Sequence, residues 1–182
     1  VVGVKPSYGC VSRYGLIALA SSLDQIGPIT KNVYDAALLM NVLSGQDPLD
    51  STMAPQLEHD FTAHLEKPIK SLKVAMPKEY FGEGLDGEVN NLMERAIAKL
   101  EGLGVHVDQV SLPHSRYALE TYYLIMSSEA SANLARFDGI RYGFSRTGEN
   151  ILDTYLRSRS EGLGDEPRRR IILGTYALSA GY

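Results

Sequence analysis

A second cysteine is missing from this chain. Cys10 is the only thiol among 182 residues, so an intrachain disulfide framework is excluded and a reducing compartment suits the composition. Missing too is any apolar run approaching the roughly 18 residues that a membrane-spanning helix requires, although 44% of the residues are hydrophobic. Charge of one sign is not in excess. Eighteen Lys and Arg stand against 22 Asp and Glu, a net charge of −4 that argues against a general polyanion-binding surface but leaves room for a local basic patch at Arg168–Arg170. Internal repeats and low-complexity tracts are absent. A serine nucleophile with its base is not spelled out either, because no G-x-S-x-G or S-x-x-K occurs. A soluble, cytoplasmic, globular protein is the expectation, and a chain of this length buries about two thirds or more of its unfolded surface.

Strand and helix signals alternate. Val1–Val4 and Val11–Ile17 are β-branched and apolar, bounded by Pro6, Gly9 and Gly15, as short strands or strand-turn pieces would be. Thr30 offers an N-cap to a helix carrying Val33, Ala36, Ala37, Met40 and Leu43, which Gly45 ends; Leu38, Leu39 and Val42 fill its other side, predicting burial nearly all round. From Gln46 to about Pro68, Asp and Pro residues interrupt every period and predict a long surface excursion. Lys70–Pro77 and Val105–Leu112 read as strands. Between them Val89, Leu92, Met93, Ala96, Ile97, Leu100 and Leu103 recur at helical spacing, so a strand-helix-strand unit with parallel strands is predicted. Helices are then expected over Arg116–Ala135, Glu149–Ser158 and Pro167–Ala180, with Pro167 suited to a first turn. The fold class is α/β, a mixed sheet flanked by helices. Val1 is no start methionine, no signal peptide follows it and no linker divides the chain. Residues 1–182 are therefore expected to be an interior segment of a single larger domain.

Two apparent motifs dissolve under physical scrutiny. Gly82-Glu-Gly-Leu-Asp-Gly87 matches a dinucleotide-binding turn, but four residues separate it from the preceding strand, and Glu83, Asp86 and Glu88 would repel a pyrophosphate at the helix start. His59, His64, His106 and His114 lack metal-ligand spacing, and Cys10 has no partner in C-x-x-C range.

Three stretches carry a resemblance: Ser127-Ser-Glu-Ala-Ser-Ala-Asn-Leu-Ala-Arg-Phe-Asp-Gly-Ile-Arg-Tyr-Gly143, the opening Val1-Val-Gly-Val-Lys-Pro-Ser-Tyr-Gly9, and Ser21-Ser-Leu-Asp-Gln-Ile-Gly-Pro28. Together they resemble the amidase signature family, in its branch of glutaminase (A) subunits of glutamyl-tRNA(Gln)/aspartyl-tRNA(Asn) amidotransferases. That resemblance implies a serine that attacks the glutamine carboxamide, with a cis-serine and a lysine base, all expected upstream of Val1. No catalytic residue is therefore assigned here, and the isolated segment is expected to be inactive. Ser21, Ser22, Ser127, Ser128 and Lys5 do not match those positions.

What the resemblance assigns here is substrate recognition. A glutamine α-carboxylate needs a cation, and an arginine fork binds both of its oxygens at once. Arg170, in Arg-Ile-Ile-Leu-Gly, matches the family's carboxylate-binding arginine, and Tyr122 its substrate-contacting tyrosine. Ser127 and Ser128 are candidate lining residues of the same pocket. On residue pattern alone Tyr122 aligns with Leu119, Met126 and Ala130 as a core position, Arg168–Arg170 reads equally as a solvated face, and Tyr123 is the register-shifted alternative. Asp24 is expected to brace the fold. The implied partners are B and C subunits, with tRNA engaged through them. No cofactor is expected in this segment; ATP and magnesium would serve the partner subunit. The alternatives are an amidase for other amides and a non-catalytic subunit-binding scaffold.

Overall fold

The computed structural model describes residues 1–55, 60–70 and 72–179. Strands β1 (Val2–Gly3) and β2 (Ile29–Thr30) precede helix α1 (Val33–Leu43). Strand β3 (Lys73–Pro77), helix α2 (Gly87–Gly102) and strand β4 (His106–Val110) follow, then α3 (Ala118–Leu134), α4 (Ile151–Gly162) and α5 (Asp165–Ala177). The chain divides into two compact units, Val1–Thr62 with Glu120–Tyr182, and Ala63–Leu119. The α/β class holds. Its strands form two separate pairs, β1–β2 antiparallel and β3–β4 parallel.

The smaller unit is the predicted strand-helix-strand crossover. Register runs from Lys73 opposite His106 to Pro77 opposite Val110, so the proline falls at the end of the ladder, where it costs least. Helix α2 starts at Asp86, whose carboxylate accepts hydrogen bonds from Glu88 N at 2.9 Å and Val89 N at 3.1 Å. An acidic cap therefore occupies the helix start that a phosphate would need, behind a 3-10 turn at Lys78–Phe81 that separates the glycines from β3. Just past the helix end and its cap Leu103, Gly104 with a φ of +84° lets Val105 N reach back to Leu100 O. Only Ile97 and Leu100 of the apolar stripe are half-buried; Val89, Leu92 and Met93 stay exposed.

In the larger unit, loop 18–24 lies on the C-terminal half of α3, and Ala20, Met126 and Ala130 form a core with Leu19 packed against it. Four expectations need correction here. The N-cap of α1 is Asn32, not Thr30: Asn32 Oδ1 accepts from Asp35 N at 2.8 Å and its amide returns a bond to Asp35 Oδ2, while Thr30 belongs to β2. Nor is α1 buried all round. Ala36, Ala37 and Met40 are buried, but Val33, Leu38, Leu39 and Val42 are exposed, because the elements packed on α1 cover one stripe only. Third, Val11–Ile17 is a strand-turn piece rather than a strand: Val11 forms an isolated bridge to Ser44, Tyr14 and Gly15 form a turn, and the residues around them have no regular structure. Fourth, the last two helices start elsewhere than expected. Asn150 caps α4 through Asp153 N, so α4 begins at Ile151 and runs to Gly162. Helix α5 begins at Asp165, with Pro167 in its first turn, and ends at Ala177, the predicted Ala180 lying outside the described residues.

The excursion after Gln46 is tied down where it is described, with Gln56–His59 outside the described residues. Asp47 accepts from Ser12 Oγ at 2.6 Å and Asp50 from Arg13 N at 2.9 Å. Replacing Asp86 by Ala is expected to cost about 1 kcal/mol at the start of α2. Amide exchange at Glu88 and Val89 should quicken while exchange in β3 and β4 stays unchanged.

Candidate functional site

Helices α3 and α5 cross with almost no space between their backbones. A Cβ placed on Gly174 would sit 1.9 Å from Ser127 O, so only glycine permits the approach, and the Ser131 and Thr175 hydroxyls meet at 3.1 Å one turn further along. That crossing sets the predicted recognition residues side by side. Arg170 Nη1 lies 3.1 Å from Met126 Sδ, one turn after Tyr122 on α3, and the Tyr122 phenol adds to the interactions that stabilise the guanidinium charge. Tyr122 and Tyr123 are both half-exposed, their ring centres 5.4 Å apart. Arg170, with 23% of its side chain exposed, is neither core nor fully solvated.

The guanidinium is held from its own helix. Glu166 Oε1 accepts from Arg170 Nε at 2.8 Å and from Arg169 Nη2 at 2.7 Å, while Oε2 accepts from Arg169 Nε at 2.8 Å. Hydrogen bonds from Arg169, then Arg170, pull the Glu166 carboxyl down to about 2, and Glu166 in turn raises both arginines above their ordinary value. Arg168 takes no part in this cluster, donating instead to Leu163 O at 2.8 Å and pairing with Asp165.

The two serines of the candidate set differ. Ser127 is 2% exposed and its Oγ, beside the crossing, has no hydrogen-bond partner among the described residues. Ser128 Oγ donates back to Leu124 O at 2.7 Å within its own helix. Tyr122 is 43% exposed in this structure, not buried as its helical alignment with Met126 and Ala130 also allowed.

A second set of contacts escaped sequence reasoning. Glu129 accepts from Ser22 N at 3.0 Å and from the Ser22 hydroxyl, which hold its carboxyl below the usual range, and Ser21 Oγ donates to Asn133 Oδ1 at 3.1 Å. Asn133 Nδ2 reaches Leu19 O at 3.2 Å, and Asp24 accepts from Leu19 N and Ala20 N. Asp24 therefore braces the loop, as expected, and Ser21 and Ser22 dock it on α3. An open cavity of about 560 Å³ borders this loop, lined by Tyr8, Arg13, Ser21, Ser22, Asp50 and Arg136 among others. Arg13 stacks on the Tyr8 ring at 4.1 Å and pairs with Asp50 at 3.5 Å. The i, i+4 spacing of Glu129 and Asn133 on one helix face was the available signal; the loop they face is 107 to 114 residues away in the chain.

The other half of the Ser127–Gly143 run shapes the turn after α3. Asp138 Oδ1 accepts from Ile140 N and Arg141 N, and Arg159 Nη1 of α4 donates to Leu134 O, the last carbonyl of α3, and to Phe137 O in the turn after it, both at 3.0 Å. Lys5 is bound to Gln25 Oε1 at 3.0 Å. His106 pairs with Asp108 at 3.0 Å on β4, no three potential metal ligands converge among the described residues, and His59 lies outside them.

Two small sheets and a set of crossing helices define an α/β protein. Residues 1–182 match the family model described as Amidase, and the chain belongs to that family. It is 59% identical over 182 residues to the A-subunit of glutamyl-tRNA(Gln) amidotransferase from Thermodesulfovibrio yellowstonii and 61% identical over 183 residues to that of Halalkalibacterium halodurans. Each match covers all of this chain and 38% of the relative, so the chain spans little more than a third of their length. The crystal structure of the corresponding Thermotoga maritima A-subunit is similar with a TM-score of 0.70 at 42% identity, over 98% of this chain and 34% of that one. A peptide amidase from Stenotrophomonas maltophilia is similar with a TM-score of 0.65 at 26% identity, over 95% of this chain and 36% of that one.

Two outcomes follow from the crossing. Gly174→Ala is expected to destabilise the protein by about 1–3 kcal/mol, since the methyl must force α3 and α5 apart, read as a lowered urea midpoint. The Glu166 carboxyl should titrate near 2 by carbon-detected NMR, and an Arg169→Ala, Arg170→Ala variant should return it towards its ordinary 4.5. Because folding depresses this pKa, the contribution is present above the unfolded value and lost as pH falls from there through about 2.

Proposed function

We propose that this chain is the substrate-recognition part of the amidase (A) subunit of a glutamyl-tRNA(Gln) amidotransferase, which hydrolyses glutamine and passes the ammonia on for conversion of Glu-tRNA(Gln) to Gln-tRNA(Gln). The observation that carries this reading is the position of Arg170 at the α3–α5 crossing, its Nη1 3.1 Å from Met126 Sδ one turn after Tyr122, in a chain that matches such subunits along its whole length.

The chemistry divides by need. A serine supplied outside these residues attacks the carboxamide carbon, ammonia leaves, and water cleaves the γ-glutamyl ester to release glutamate and regenerate the serine. What this chain contributes is position: Arg170 pairs with the α-carboxylate, and Tyr122 orders that pair at its edge. The α-ammonium requires a carboxylate beyond the recognition residues assigned here. B and C subunits complete the assembly in the cytoplasm, and ATP, magnesium and tRNA are handled by the partner rather than by this chain.

In the complete enzyme, Arg170→Ala should raise KM for glutamine about a hundredfold, because a substrate carboxylate left without its cation loses several kcal/mol of binding. Steady-state ammonia release over a range of glutamine concentrations reads it. An unchanged KM removes Arg170 from the site.

A further inference from the structure

We propose that Glu166 is a positioning residue for substrate binding, fixing the Arg170 guanidinium before glutamine arrives with its Nη1 held at the α3–α5 crossing against Met126. This rests on the recognition role of Arg170 proposed above and adds a residue that the carboxylate-binding reading alone does not include.

The geometry is specific. Glu166 lies one turn before Arg170 on α5 and accepts from its Nε, the nitrogen nearest the aliphatic stem, so Nη1, which lies off the edge that Nε shares with Nη2, is left to the helix crossing. Nη1 then rests on Met126 Sδ, a soft contact across the helix crossing. A flexible side chain is thus pinned at its base by a charged acceptor and steadied near its tip by an apolar neighbour. An isolated exposed ion pair at this spacing would be worth little, because fixing two long side chains costs entropy and water screens the charges. Here the second arginine changes the balance. Arg169 donates from Nε and Nη2 to both Glu166 oxygens, so the carboxylate is already oriented by a two-point fork when it receives Arg170.

The functional consequence is pre-organisation. An arginine free to sample its rotamers must lose that freedom when a carboxylate binds, and a held arginine has lost it beforehand. The binding gain applies equally to bound glutamine and to the transition state, since the α-carboxylate does not react. It therefore belongs in KM and not in kcat.

The test uses the complete amidotransferase carrying this chain, with ammonia release as readout and thermal melting as a check that each variant is folded. Glu166→Ala is expected to raise KM for glutamine about tenfold with kcat unchanged, a loss comparable to immobilising one long side chain on binding. Glu166→Gln keeps a neutral acceptor for Arg170 Nε and should restore most of the affinity. In an Arg170→Ala background, Glu166→Ala should add nothing. The inference is overturned if Arg170→Ala weakens glutamine binding while Glu166→Ala leaves KM alone. It is overturned equally if Glu166→Ala lowers kcat instead, or if its tenfold effect persists without Arg170. An Arg170→Ala variant with normal KM would defeat the recognition reading itself, a result separable from the other three.

Discussion

Contact between the backbones of α3 and α5 is the constraint from which the candidate site follows. Two helices ordinarily pack with their axes 8–10 Å apart, held off by side chains. At Gly174 there is no side chain, and the backbone of α5 comes directly onto the carbonyl of Ser127. Arg170, one turn before Gly174, is thereby brought against Met126 and beside Tyr122. A glycine that looks incidental within Arg-Ile-Ile-Leu-Gly sets the reach of the arginine preceding it.

Helix α3 joins two tasks along its length. Its C-terminal half holds Met126, Ala130 and Leu134 in the core and fastens loop 18–24 through Glu129 and Asn133, while Tyr122 and Tyr123 nearer its start remain half-exposed. Buried polar groups near that loop are mostly satisfied in pairs, as burial demands. The hydroxyl of Ser127 departs from that rule, and it does so at the crossing itself.

Legibility differed by element for physical reasons. The crossover of β3, α2 and β4 could be read because its signals are local: apolar residues at helical spacing between two apolar runs, closed by Gly104. Helix α1 was found but its surroundings were misjudged, since an apolar side chain records a preference for burial and not the presence of a neighbour; Val33, Leu39 and Val42 remain exposed. The Thr30 cap failed because Asn32 stands nearer the first helical turn and offers a better acceptor, leaving Thr30 free to pair in β2. Val11–Ile17 had the composition of a strand, but among the described residues only Val11 pairs, in a single bridge to Ser44.

By itself the sequence determined the α/β class, the helices of the C-terminal third and, through motif resemblance, the family to which the chain belongs. It also named Arg170 and Tyr122, residues whose types suit a carboxylate. Only the tertiary structure decided that these two share one helix crossing, that Glu166 holds the arginine and that Ser128 turns back on its own helix. Local patterns specify torsions and amphipathic faces through neighbours three or four residues away. Which distant groups meet depends on how closely two backbones pass, and at Gly174 that distance is set by the absence of a side chain.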